Sequence, residues 1–90
     1  MSERARHIQS AIETAFHPLS LRVEDDSASH AGHAGVRESG GGHFIVHIVA
    51  EVFSGKSRVQ RHRMVYDALK EEFGPMIHAL SIQAKAPDEV

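Results

Sequence analysis

The chain is predicted to be a small two-layer α+β domain with the element order αββαβ, and three observations lead there. Two segments, 3–16 and 57–73, repeat apolar residues at helical spacing, and three others, near 19–24, 43–52 and 77–85, are β-prone and alternate. Ninety residues make a single domain, 1–90, near the size at which one core only just suffices. The first two strands are not separated by a helix and pair most simply as antiparallel neighbours. The last two flank a helix, which predicts a right-handed parallel crossover. A three-stranded mixed sheet with both helices on one face follows.

In the first helix Ala5, Ile8, Ile12, Ala15 and Phe16 form the apolar stripe, and Glu3, Arg4, Gln9 and Glu13 fill the other face. Ser2 is placed to cap its start, and Pro18 is expected to hold His17 extended and so end it. Leu19, Leu21 and Val23 alternate with Ser20, Arg22 and Glu24, the pattern of a half-buried strand. Residues 27–42 then carry five glycines and no periodicity, which predicts a long flexible loop. Loops of that length in compact domains are usually functional or disordered.

From His43 to Val52, Phe44, Val46 and Ile48 make one face, with His43, Ile45, His47 and Val49 opposite, as expected of a central strand. Ser57 with Gln60 forms a capping box. Val65, Ala68, Leu69 and Phe73 make the buried stripe of the second helix, and Gly74 and Pro75 stop it. The last strand, 77–85, is expected to place His78, Leu80, Ile82 and Ala84 on one face. Residues 86–90 read as a short tail.

Composition removes several function classes. With no cysteine the chain has neither a disulfide nor a thiol nucleophile, and it offers no sulfur ligand to an iron–sulfur cluster. It has no apolar run long enough to cross a membrane and no basic-then-apolar leader, so a cytoplasmic protein without a membrane partner is expected. No serine or carboxylate sits in a recognisable catalytic context, so an enzyme is not expected. The net charge of −2 rules out a polycation, whereas eight histidines are an excess.

Two constellations carry chemistry. In "GKSRVQRHRMVY", Lys56, Arg58, Arg61 and Arg63 place four of the ten basic side chains within eight positions. Such a helix start can bind phosphate; on composition a solubilising charged surface is slightly favoured, and neither a P-loop nor a GxxG clamp is present. The second constellation is histidine. His7, His17, His43, His47 and His62 need no more than surface or packing roles. His78 opens a strand at the edge of the core, and His30 and His33 in "SASHAGHAG" could supply it with a second ligand. Neutral imidazole suits iron or zinc.

Together "VEDDSASHAGH", "GGHFIVHIVAEVFSGKSRVQRHRMVYDAL" and "IHALSIQAKAP" resemble the BolA family over essentially the whole chain. The most specific parts are R-H-R-x-V-Y at Arg61–Tyr66 and H-A-L at His78–Leu80. The resemblance implies the αββαβ fold reached above, similar to type II KH domains without their GxxG loop. It implies two functions: a partner of monothiol glutaredoxins that shares a [2Fe–2S] cluster, and a DNA-binding transcriptional regulator of morphology and stress. It assigns the cluster ligand at the start of the last strand to His78. The variable loop ligand falls on His30, with His33 three residues further along as the other candidate. The remaining ligands would be the glutaredoxin cysteine and glutathione, so the isolated chain is expected to be a monomer without cofactor. For the alternative partner, duplex DNA, the resemblance points to the basic helix.

Overall fold

A computed structural model describes residues 3–26, 42–73 and 77–90, with the backbone alone at position 78. Helix α1 spans Glu3–Phe16, strands β1 and β2 span Ser20–Asp25 and Gly42–Val49, helix α2 spans Arg58–Ala68 and strand β3 spans Ile77–Lys85. Two short 3-10 turns, Glu51–Phe53 and Pro87–Glu89, follow β2 and β3. The sheet order is β1-β2-β3, with β1 antiparallel and β3 parallel to β2. His30 and His33, the Ser2 cap and the Gly74-Pro75 stop lie outside the described residues.

The register explains the core. Leu21 and Val23 stand opposite Ile48 and Val46, and Leu80, Ile82 and Ala84 stand opposite Phe44, Val46 and Ile48, so the apolar residues of all three strands share a face. Ile8, Ile12 and Phe16 of α1, with Val65 of α2 and Leu69 just beyond it, join that face in one buried cluster. The other face of β2 is only half-buried. This is the expected two-layer arrangement, with both helices on one side of the sheet.

Several local expectations need correction. Ala15 is exposed, and Leu19 stands before β1 with 68% of its surface accessible. Strand β2 stops at Val49 rather than running to Val52. Ala50 is fully buried and donates to Lys85 O at 3.0 Å, after which the 3-10 turn carries Phe53 into the core against Phe16, ring centroids 5.4 Å apart. Burying one more aromatic ring outweighs the β propensity of residues 50–52. Helix α2 begins as read, with Ser57 Oγ accepting from Gln60 N and Gln60 Oε1 accepting from Ser57 N. It ends at Ala68, and Phe73 is reached through turns.

His17 departs most sharply from expectation. It is not extended but has φ 47°, a left-handed residue just past the helix, and its N–H still donates to Glu13 O at 3.0 Å. Proline disfavours the right-handed helical region at the residue before it, and a left-handed residue is the other common way to close a helix. A Cβ there costs about 1–2 kcal/mol, against about 0.5–1 kcal/mol for the extra chain entropy of glycine. His17→Gly should therefore stabilise the domain by about 0.5–1 kcal/mol, read as a raised urea midpoint with an unchanged slope.

Candidate functional site

The topology brings the histidine candidates to one end of the sheet. Strand β1 ends, and β2 and β3 begin, at that end: Asp25 stands opposite Phe44, and Gly42 opposite Ile77. Asp26 N donates to His43 O at 2.7 Å, closing the base of the connection that carries His30 and His33. Its second described end, Gly42, thus pairs with the start of β3, where His78 follows Ile77, and its first, Asp26, lies across β2 at the same end of the sheet.

At His78 the ladder is irregular. Gly42 pairs with Ile77 and His43 with Ala79, so the register passes over position 78. Ile77, directly before it, is buried, with 1% of its surface exposed. The expected face is seen from Leu80 to Ala84, and the side chain of His78 lies outside the described residues. A residue passed over in a ladder is a bulge, and bulges re-aim side chains and recur next to functional sites.

His43, which sequence reasoning set aside, lies at the same end. Its ring is half-buried, with Nδ1 3.7 Å from Asp26 Oδ2. The signal available in the sequence was its position as the first side chain after the glycine run. His47 is further along the same face, with Nε2 2.7 Å from Glu24 Oε2. His7 stands 3.1 Å from Glu72 on the helical side. Among the described residues no group of three or more His, Cys, Asp and Glu is arranged to hold a metal ion. Imidazoles alone make a minority of a cluster's ligands, so the sulfur ligands would have to come from a partner.

The basic constellation lies at the other end, where β3 finishes and α2 begins. From position 78 to 85 the strand advances roughly 23 Å, about 3.3 Å per residue. Here Lys56, Arg58, Arg61, His62, Gln83, Lys85 and Glu89 line a groove of about 640 Å³. It holds four permanent cations and one carboxylate. Of the four basic residues nominated from the sequence, Lys56, Arg58 and Arg61 meet in the groove, whereas exposed Arg63 is not in its lining. Lys85 joins them from β3, a distant neighbour that spacing within the helix gave no means of finding.

Arg61 is committed to its own chain. Its Nε donates to Lys56 O at 3.0 Å and its Nη1 to Ala84 O at 3.0 Å. Nη1 and Nη2 grip Glu89 Oε1 and Oε2 at 2.6 and 2.9 Å. The Arg61 side chain is 12% exposed, and Glu89 Oε1 also accepts from Ala86 N at 2.7 Å. The residues read as a tail are therefore an ordered turn, pinned to α2 by a bidentate pair. The hydrogen bonds from Arg61 and from the Ala86 N–H hold the Glu89 carboxyl down at about 2, and the bond to Glu89 holds the Arg61 guanidinium above its ordinary value.

A carboxyl with a lowered pKa contributes stability that is present above its unfolded value of 4.5 and is lost as pH falls toward about 2. Urea melts at pH 6 and pH 3 should show that Glu89→Gln lowers stability at the first and narrows the acid-induced loss between the two. An equal acid-induced loss in wild type and variant would mean that the pair contributes nothing.

Two further residues of the R-H-R-x-V-Y stretch, Val65 and Tyr66, are packing residues. Val65 is in the core, and Tyr66 lies against Phe73 with ring centroids 5.2 Å apart.

Comparison with known proteins agrees with this architecture. Residues 12–89 match the family described as BolA-like protein. The chain is 47% identical to the SufE-like protein 1, chloroplastic/mitochondrial, of Arabidopsis thaliana, over all of this chain and 25% of that protein. It is 42% identical to BolA-like protein 1 of Mus musculus, over 89% of this chain and 56% of that protein. The chain thus spans about a quarter of the first relative and just over half of the second. Among solved structures, the BolA domain of SufE1 from Arabidopsis thaliana superposes with a TM-score of 0.85 at 43% identity, covering 100% of this chain and 99% of that one. No helix among the described residues is long and apolar enough to cross a membrane. The family match, the two curated relatives and the shared architecture lead to one conclusion: the chain belongs to the BolA family.

Proposed function

We propose that the domain is a non-enzymatic adaptor that binds a monothiol glutaredoxin and shares a [2Fe–2S] cluster with it, in cluster trafficking or in iron or redox sensing. The observation that supports this most is the register: the base of the connection bearing His30 and His33 and the start of β3 at His78 share one end of the sheet. His78 would be one ligand and His30 or His33 the other, with the glutaredoxin cysteine and glutathione supplying sulfur. Imidazole in place of thiolate raises a cluster's potential and makes that end sensitive to pH. The cytoplasmic location is part of the same proposal, although one relative is named for chloroplasts and mitochondria.

The test mixes the protein with a glutathione-loaded monothiol glutaredoxin, iron and sulfide. A one-to-one complex should form, with a visible spectrum distinct from that of the glutaredoxin cluster alone. An unchanged spectrum with no complex on gel filtration would overturn the reading.

The groove supports a second reading, a nucleic-acid-binding regulator. Lys56, Arg58 and Lys85 present three cations on one surface, while Arg61 is engaged elsewhere. Three phosphate contacts give a slope of log affinity on log salt of about −2.7. Four free cations, with Arg61 among them, would give about −3.6. Titrations of a short DNA duplex at several salt concentrations measure it, and a flat response would remove this reading.

A further inference from the structure

We propose that the turn after β3 guards the basic groove, with Glu89 standing where a phosphate of the ligand would bind Arg61. The inference rests on the second reading, that the groove takes nucleic acid, and names how that binding is held in check.

Among the described residues Arg61 is the lining cation held by a bidentate partner, and that partner is a carboxylate, the side chain whose planar oxygens most resemble two oxygens of a phosphate. The remaining cations, Lys56, Arg58 and Lys85, surround this pair in the same groove. Arg61 sits deeper than its partner, with 12% of its side chain exposed against 43% for Glu89. The carboxylate is therefore the solvent-side member, and it can leave while the guanidinium stays.

The local structure allows that exchange. Arg61 keeps its bonds to Lys56 O and Ala84 O whatever Glu89 does, so its guanidinium remains aimed into the groove. The guard is a three-residue 3-10 turn, Pro87–Glu89, closed on itself by Glu89 N donating to Ala86 O. An ion pair with one partner partly exposed contributes modestly in water, so a second anion can take the place of that partner. A ligand phosphate that displaces Glu89 gains the best-positioned donor in the groove, and one that does not must bind with the remaining cations.

The test uses the full chain and a short fluorescent DNA duplex of mixed sequence, titrated across salt. For Glu89→Gln the slope should steepen from about −2.7 to about −3.6, and affinity near 0.1 M salt should rise about eightfold, the value of one added phosphate contact. Glu89→Asp keeps the charge but shortens the reach to Arg61, and it should gain affinity in the same direction. Arg61→Gln should change little by itself and should erase the gain when added to Glu89→Gln. A thermal melt of each variant establishes that it is folded.

Binding by wild type with no gain in either Glu89 variant would overturn the guard and leave the nucleic-acid reading standing. The guard also falls if the gain of Glu89→Gln survives the addition of Arg61→Gln. Binding by Glu89→Gln alone would support the guard in its strongest form. Absence of binding by wild type and both Glu89 variants would overturn the guard and the nucleic-acid reading together.

Discussion

Phe44→Ala is expected to remove a large part of the domain's stability. Phe44 is fully buried on the central strand, and Leu80 stands opposite it in the register. Both helices contribute to the same core cluster, so the ring has few ways to be replaced by collapse around it. Truncating a buried phenylalanine costs about 3–5 kcal/mol, of which part is lost burial and part the cavity left behind. A chain of ninety residues has a total stability of about 5–13 kcal/mol. The variant should therefore lose about a quarter of its stability or more, seen as a large fall in the urea midpoint. Ile45→Ala, one position along on the half-buried face, should cost about 1 kcal/mol. Similar losses for the two variants would mean that the open face of the sheet is as tightly packed as the helical one.

Much of this fold was legible because the two periods are unambiguous where they matter. Phe44, Val46 and Ile48 alternate without interruption, and Ile8, Ile12 and Phe16 recur at helical spacing, so the layers and their facing sides follow from sequence alone. The capping box at Ser57 was legible for a similar reason, since both partners lie within one turn.

What was not legible depends on distant partners. Nothing near Phe53 announces that Phe16 waits for it, so β propensity carried the second strand too far. Nor does the tail announce that Glu89 meets Arg61 across 28 positions. That pair changes the meaning of the basic cluster: counted as charges, Lys56, Arg58, Arg61 and Arg63 are equivalent, yet only some line the groove and one is already paired. The same holds for the histidines. Spacing gave no reason to prefer His43, and the register brings it beside the start of β3.

The two candidate sites lie at opposite ends of the sheet, and that separation bears on how they could work together. Ligands at the start of β3 are roughly 23 Å from the groove at its end, by the rise of the strand. Cluster binding at His78 would not by itself cover Lys56 or Arg58. Any coupling between the two would need a partner large enough to reach both ends or a shift transmitted along β3.

His78→Ala should change the spectrum of the cluster shared with a monothiol glutaredoxin more than any other single histidine replacement. The reason lies in the backbone. Ile77 before it is buried, and Ala79 after it is paired with His43, so position 78 is anchored on both sides at a point where the ladder is passed over. An anchored ligand loses little freedom when a cluster arrives, so ordering it costs little. His30 and His33 lie three residues apart, so each can stand in for the other, and single replacements should alter the spectrum only modestly. Replacing both together should match the effect of His78→Ala. His43→Ala tests the remaining histidine at that end; a loss equal to that of His78→Ala would transfer the loop's ligand role to His43. Thermal melts of all the variants separate lost ligation from lost fold. An unaltered spectrum for folded His78→Ala would mean that this histidine holds no cluster, and the adaptor reading would have to be abandoned in its histidine-ligated form.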